Sequence, residues 1–128
     1  MRSRGRILVV DDDDTIRALV ATALADAGYE VRAAVHGVEA LDTAAEWSPD
    51  LILLDMRMPL MDCWEFVRAY RGRPGLHAPI VILTAGRDAA SIAADVAADG
   101  FLAKPFDLDG LLGIVGSTLN GHGAGRPG

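Results

Sequence analysis

The chain carries a single cysteine, Cys63, among 128 residues. One thiol excludes an internal disulfide framework and a cysteine-based zinc site. Aromatic residues are sparse at 5%. No apolar run approaches the ~18 residues that a membrane-crossing helix needs. Positive charge is short as well: Lys and Arg number 12 against 18 Asp and Glu, a formal charge of -6. That balance argues against duplex DNA and anionic membranes as direct partners, because both require phosphates to be neutralised. The basic start, Met1 to Arg6, is followed by only Ile7 to Val10 before four aspartates. Such a hydrophobic stretch is too short for a secretory signal, so the expected compartment is the cytoplasm. Lysine is scarcest of the charged residues. Lys104 is the only one, and every other basic residue is arginine.

What is present points to one ordered domain. Hydrophobic residues make up 51% of the chain, enough for a core and too many for a disordered segment. Short apolar runs alternate with longer amphipathic stretches. The runs are Arg6 to Val10, Val31 to Ala34, Leu51 to Leu54, Ile80 to Leu83 and Phe101 to Ala103. Those at Ile7, Leu51 and Ile80 are apolar throughout, which suits strands buried on both faces of a sheet. Helical spacing is found over Thr15 to Ala27, Val38 to Trp47, Asp62 to Arg71, Ala89 to Ala98 and Leu108 to Leu119. Gly28 and Pro49 mark two of the stops. Strand then helix, five times over, predicts a parallel sheet with right-handed crossovers. The expected fold is therefore α/β, a doubly wound five-stranded sheet in a three-layer sandwich. The domain is expected over residues 4–120. The glycine-rich residues 121–128 are expected to form a flexible, non-helical tail. Gly110, Gly113 and Gly116 make the last helix the one that leans most on packing.

Chemistry in such sheets collects at the carboxyl ends of the strands. The first strand is followed by Asp11, Asp12, Asp13 and Asp14, the third by Asp55, the fourth by Thr84 and the fifth by Lys104 and Pro105. Asp13 or Asp14 is expected to cap the first helix. Converging carboxylates repel one another. Either one is protonated or a divalent cation lies among them. Asp11, Asp12 and Asp55 would form an oxygen-only site, which suits Mg2+ with some of its waters retained. Such an ion makes phosphoryl transfer feasible by neutralising charge between nucleophile and donor. Singly, each aspartate reads equally well as a cap and Thr84 as a turn residue; their joint placement at matched strand ends is what carries the signal.

Four segments together resemble the receiver domain of two-component response regulators. They are Ile7-Leu8-Val9-Val10-Asp11-Asp12, Leu53-Leu54-Asp55-Met56-Arg57-Met58-Pro59, Leu83-Thr84-Ala85 and Lys104-Pro105-Phe106. The likeness runs from about Arg6 to Leu119. It implies a flavodoxin-like sheet with strand order 2-1-3-4-5. It implies that Asp55 accepts a phosphoryl group from a sensor histidine kinase or a histidine phosphotransfer protein. Asp11, Asp12, Asp55 and the main-chain carbonyl of Arg57 would hold Mg2+, with Mn2+ as the substitute ion. Thr84 and Lys104 would each meet a phosphoryl oxygen, and Phe101 would be the switch aromatic that turns inward with Thr84. The Lys104-Pro105 bond would be cis, which an X-Pro bond tolerates. The implied chemistry is that of a signalling phosphoacceptor rather than a classical enzyme. Output would pass to a downstream protein target, since no attached DNA-binding or enzymatic domain is expected.

Several positions depart from the family pattern. Cys63 stands where the family usually has glycine after Met61-Asp62, so the third helix is expected to start differently. Cys63 itself reads as an inert small residue rather than a redox sensor, and Trp64 as a partner contact or a cover for the helix. Arg57 and Gly86 occupy two positions that tune phosphoryl lifetime. Phe101 lacks the hydroxyl of the commoner tyrosine. From Asp88 to Gly100, and again from Pro105 to Gly125, there is no Lys or Arg. Asp95, Asp99, Asp107 and Asp109 would then lack basic partners, which argues against the charged dimer surface some regulators use; a monomer or weak dimer is expected. His36, His77 and His122 show no metal-ligand spacing, and Met56, Met58 and Met61 read as packing. Two other functions compete: a phosphorylation-independent interaction module on the same fold, and a small Mg2+-dependent phosphohydrolase, for which the chain is short.

Overall fold

The computed structural model describes residues 4–56, 62–75, 77–85, 89–95 and 97–124. Five strands and five helices alternate along these residues. In chain order they are β1 (Arg6–Val10), α1 (Asp14–Asp26), β2 (Glu30–Ala34), α2 (Gly37–Trp47) and β3 (Leu51–Asp55). Then come α3 (Cys63–Gly72), β4 (Ile80–Ala85), α4 (Ala89–Asp95), β5 (Gly100–Lys104) and α5 (Leu108–Ala124). All strand pairs are parallel, and the sheet order is β2-β1-β3-β4-β5. The expected doubly wound α/β sheet is thus observed.

Period-2 alternation divides each central strand between two cores. Leu8, Val10, Ile52, Leu54, Ile80 and Ile82 face α2, α3 and α4, where Leu41, Phe66 and Ile92 cover them. Ile7, Val9, Leu51, Leu53, Val81 and Leu83 face α1 and α5, against Val20, Leu24, Leu111 and Val115. This two-sided burial is why β1, β3 and β4 carry unbroken apolar runs, 7–10, 51–54 and 80–83. Strand β2 is an edge, and its exposed Glu30 and Arg32 keep that edge from pairing with another chain.

Local chemistry sets the helix limits. Asp13 caps α1 by accepting from the Ile16 amide at 3.0 Å. Gly28 follows at φ +102, a conformation that favours glycine. His36 caps α2 through Nδ1, which accepts from the Glu39 amide. Asp62 and Glu65 form a reciprocal capping box that starts α3. Cys63 is therefore an ordinary first-turn residue, fully buried, and the third helix needs no glycine there. Trp64 packs half-buried against the α2–α4 core. The Lys104-Pro105 bond is cis.

Two expectations need correction. Helix α4 ends at Asp95 rather than Ala98. Ala97 adopts φ +54, and Asp99 then turns back to pair with Ile80, taking its amide at 2.8 Å. That backbone turn overrides the alanine-rich helical pattern. Helix α5 continues to Ala124, so residues 121–124 are helical and not a tail. Extending an existing helix costs far less than nucleating one, which lets Gly121 and Gly123 be carried. Residues 125–128 lie outside the described residues.

Gly113 and Gly116 face open space and have no positive φ. Replacing either with alanine should raise stability by about 0.5–1 kcal/mol, by restricting the unfolded chain. Urea unfolding of Gly113→Ala and Gly116→Ala reads this directly; a lower midpoint in both would mean that α5 needs those glycines for a contact.

Candidate functional site

The order of strands reverses at β1, so a crevice opens between the carboxyl ends of β1 and β3. Asp11 follows β1 and Asp55 ends β3, on opposite lips of that crevice. One oxygen from each of Asp11, Asp12 and Asp55 lies within 4.8 Å of the others. Asp11 is wholly buried and Asp55 is 7% exposed, while Asp12 reaches solvent. Asp11 is fixed on several sides. Its amide donates to the Ala34 carbonyl at 3.2 Å, and its Oδ1 accepts from the Asp13 amide at 2.9 Å. Arg17, itself paired with Asp14, donates from Nη1 to the Asp11 carbonyl at 2.8 Å.

Lys104 arrives from the end of β5. Its Nζ donates to Asp11 Oδ2 at 2.9 Å and to Asp55 Oδ1 at 3.1 Å. One ammonium against three carboxylates leaves two formal negative charges on the cluster. That residue of charge, with oxygen donors only, fits a hard divalent cation. A lysine suits the position because a compact ammonium reaches two carboxylates as a point charge.

Burial pushes the Asp55 carboxyl up to about 6, and the charge of Asp11 adds to it; Lys104 opposes the rise and Asp12 assists it. Burial by itself disfavours the Lys104 ammonium. The hydrogen bond to Asp11 and the charge of Asp55 outweigh this and hold its pKa above the ordinary lysine value. Of the two routes left open by the sequence, the Asp55 carboxyl is shifted towards its neutral form. In addition, the Lys104 ammonium, a cation not expected there from the sequence, lies between Asp11 and Asp55.

The remaining expected residues lie apart from this cluster. Thr84 is buried at the end of β4, and its hydroxyl donates to Met56 Sδ at 3.4 Å. Phe101 is outward and 42% exposed. Arg57 and Gly86 fall outside the described residues. Cys63 is buried under the site, and burial, with the charge of Asp62, pushes its thiol up to about 11. It is protonated at neutral pH and poorly reactive. Two contributions escaped sequence reasoning: the Arg17 bond to the Asp11 carbonyl and the Met56 contact with Thr84. The spacing of Asp11 and Arg17, six residues apart across a cap, held a weak signal for the first.

Metal-free stability should record the Asp55 shift. Asp55 binds a proton more tightly folded than unfolded, so its contribution is present below about pH 4 and lost as pH rises through about 6. Asp55→Asn should then gain on the wild type between pH 4 and 7, by on the order of 1–3 kcal/mol. Denaturant unfolding in a chelator across that range tests this. A pH-independent difference would show that Asp55 is not held against its charge.

Residues 7–116 match the family described as the response regulator receiver domain. The response regulator MprA of Mycobacterium tuberculosis is 46% identical over 117 residues, which are 89% of this chain and 50% of that protein. The chain thus spans about half the length of the curated relatives it matches. Among solved structures, the chemotaxis response regulator CheY4 of Vibrio cholerae superposes with a TM-score of 0.82 at 38% identity, covering 88% of this chain and 97% of that one. A putative response regulator from Chloroflexus aurantiacus gives 0.83 at 37% identity, covering 90% and 97%. NtrX from Brucella abortus gives 0.85 at 30% identity, covering 94% of this chain and 28% of that one. With its sheet order, its acidic crevice and its bridging lysine, the chain belongs to the response regulator receiver domain family.

Proposed function

We propose that Asp55 accepts a phosphoryl group from the phosphohistidine of a sensor histidine kinase or a histidine phosphotransfer protein. The observation that carries this reading is the Lys104 ammonium bridging Asp11 and Asp55 within a carboxylate cluster. A carboxylate oxygen of Asp55 attacks phosphorus, the bond from phosphorus to the donor imidazole nitrogen breaks, and that nitrogen keeps the electron pair. Asp11, Asp12 and Asp55, with the Arg57 carbonyl that the family resemblance implies, would hold Mg2+ or Mn2+, which would supply the charge neutralisation this transfer needs. Lys104 exchanges its bond to Asp55 for one to a phosphoryl oxygen, while its bond to Asp11 keeps it in place.

The new group adds about -1.5 to -2 charges and three strong acceptors. Thr84 then moves its hydroxyl from Met56 towards a phosphoryl oxygen. Charge-assisted bonds are worth roughly 1.5–3 kcal/mol each. Two of them approach the ~5.5 kcal/mol that reverses a 1:99 population. Phe101 follows Thr84 inward, since Ala103 and Phe101 on β5 lie opposite Thr84 and Ile82 on β4. The surface of α4, β5 and α5 is thereby remodelled for a downstream protein partner, in the cytoplasm. Among the described residues, Phe101 and Leu108 are the large apolar side chains exposed on that surface. Asp99 and Asp107 accept from the Ile80 and Gly110 amides, which fixes their positions on this surface.

Intact-mass spectrometry after incubation with a small acyl phosphate and Mg2+ tests the reading. One labile adduct of about 80 Da, a single phosphoryl group, is expected for the wild type. It should be absent from Asp55→Ala and without metal. An adduct that survives in Asp55→Ala would assign the phosphoacceptor elsewhere, and Mg2+ binding without any adduct would favour a phosphorylation-independent module.

A further inference from the structure

We propose that Met56 is a positioning residue whose thioether holds Thr84 in the resting state and sets how readily its hydroxyl is released to the phosphoryl group. The proposal rests on the switch role given to Thr84 above. Thr84 Oγ1 donates to Met56 Sδ at 3.4 Å. Met56 directly follows Asp55, so the resting acceptor and the phosphoacceptor are adjacent in the chain. The Met56 amide donates to the Leu83 carbonyl at 3.2 Å, which clamps this turn onto β4 beside Thr84. The Met56 side chain packs half-buried on the core that contains Ile82. Thr84 and Ile82 share that face of β4, and Ala103 and Phe101 lie opposite them on β5. Met56, Thr84 and Phe101 therefore occupy one face of the sheet, along the path the switch follows.

The chemistry suits a hold that yields. A thioether is a weak acceptor, whereas phosphoryl oxygens are strong ones. An oxygen acceptor at Met56 would compete with the phosphoryl group; sulfur satisfies a buried hydroxyl without doing so. Methionine is also unbranched and flexible, so it can fill the space that a departing hydroxyl opens. Thr84 makes other interactions too, and the thioether tunes its release rather than acting as its sole tether.

The test uses the full chain titrated with Mg2+ and beryllium fluoride, a tetrahedral phosphoryl mimic. Met56→Leu removes the acceptor at nearly constant volume. It should tighten binding of the mimic roughly 2- to 5-fold, the range set by one modest neutral hydrogen bond. Met56→Gln offers a carbonyl oxygen instead and should weaken binding by a similar factor. A packing role alone would move both variants the same way. In a Thr84→Val background both shifts should vanish, since the hydroxyl is gone. Tightening that persists in Thr84→Val, equal or weaker binding by Met56→Leu, or shifts of one sign in both variants would overturn the proposal. If Thr84→Val alone leaves binding unchanged, the switch role of Thr84 falls and this proposal with it. A metal-free readout is the Thr84 side-chain rotamer from three-bond couplings: one rotamer in the wild type and averaging in Met56→Leu are expected. Identical couplings in the two would also overturn it.

Discussion

The Lys104 ammonium ties three strand ends into one site. It reaches Asp11 after β1 and Asp55 at the end of β3 from the last residue of β5. Strands β3 and β5 are not neighbours in the sheet, because β4 lies between them. The lysine therefore spans the carboxyl edge of the sheet rather than pairing across one ladder. Without it, the wholly buried Asp11 and the nearly buried Asp55 would face each other with no cation between them, the costly case of uncompensated buried charge. The site is stable because this pairing exists and poised because it leaves two negative charges unmatched.

The rest of the fold serves that arrangement. Apolar side chains on both faces of β1, β3 and β4 fix the strand ends to within the precision of a packed interior. Asp13 and the buried Asp11 bind each other's neighbourhood through the Asp13 amide, so the cap of α1 and the acidic site are one construction. Cys63 and the Asp62–Glu65 capping box start α3 without a glycine. The opposite end of the sheet is held differently. There Arg6 and Arg32 stack over Trp47, and Arg6 donates to its carbonyl at 2.7 Å. Positive charge at that end meets aromatic rings, a main-chain oxygen and the Glu30 carboxylate, 3.3 Å from Arg6 Nε. At the acidic end, Arg17 meets the Asp11 carbonyl and Asp14, and among the described residues Lys104 is the cation that meets the cluster's carboxylates.

The switch elements are separated from the charge in the resting state. Thr84 points its hydroxyl at sulfur and Phe101 lies outward. Both are on strands β4 and β5, which border the site. A charged group added at Asp55 changes the relative value of acceptors around Thr84, which is a local event. In the proposed switch its consequence would spread through the β4–β5 register, which places Thr84 and Ile82 opposite Ala103 and Phe101. The surface this proposal would change carries Asp99 and Asp107, each accepting from a main-chain amide, and the exposed Phe101 and Leu108.

By itself the sequence determined the α/β class, the five strand positions to within two residues, and the sites of Asp11, Asp12, Asp55, Thr84 and Lys104 at strand ends. It could do so because two-sided burial makes a strand apolar at every position, and because polar residues directly after such strands stand out. It misjudged the end of α4 and of α5. Alanine and glycine runs carry little periodic information, and the stop at Ala97 depends on where Asp99 finds the Ile80 amide. Only the tertiary structure decided which groups touch. Arg17 on the Asp11 carbonyl, Met56 under Thr84, and the raised Asp55 carboxyl all depend on distances between residues far apart in the chain or on burial. Residue type states what a side chain can do; burial and a partner a few ångströms away decide which of those things it does.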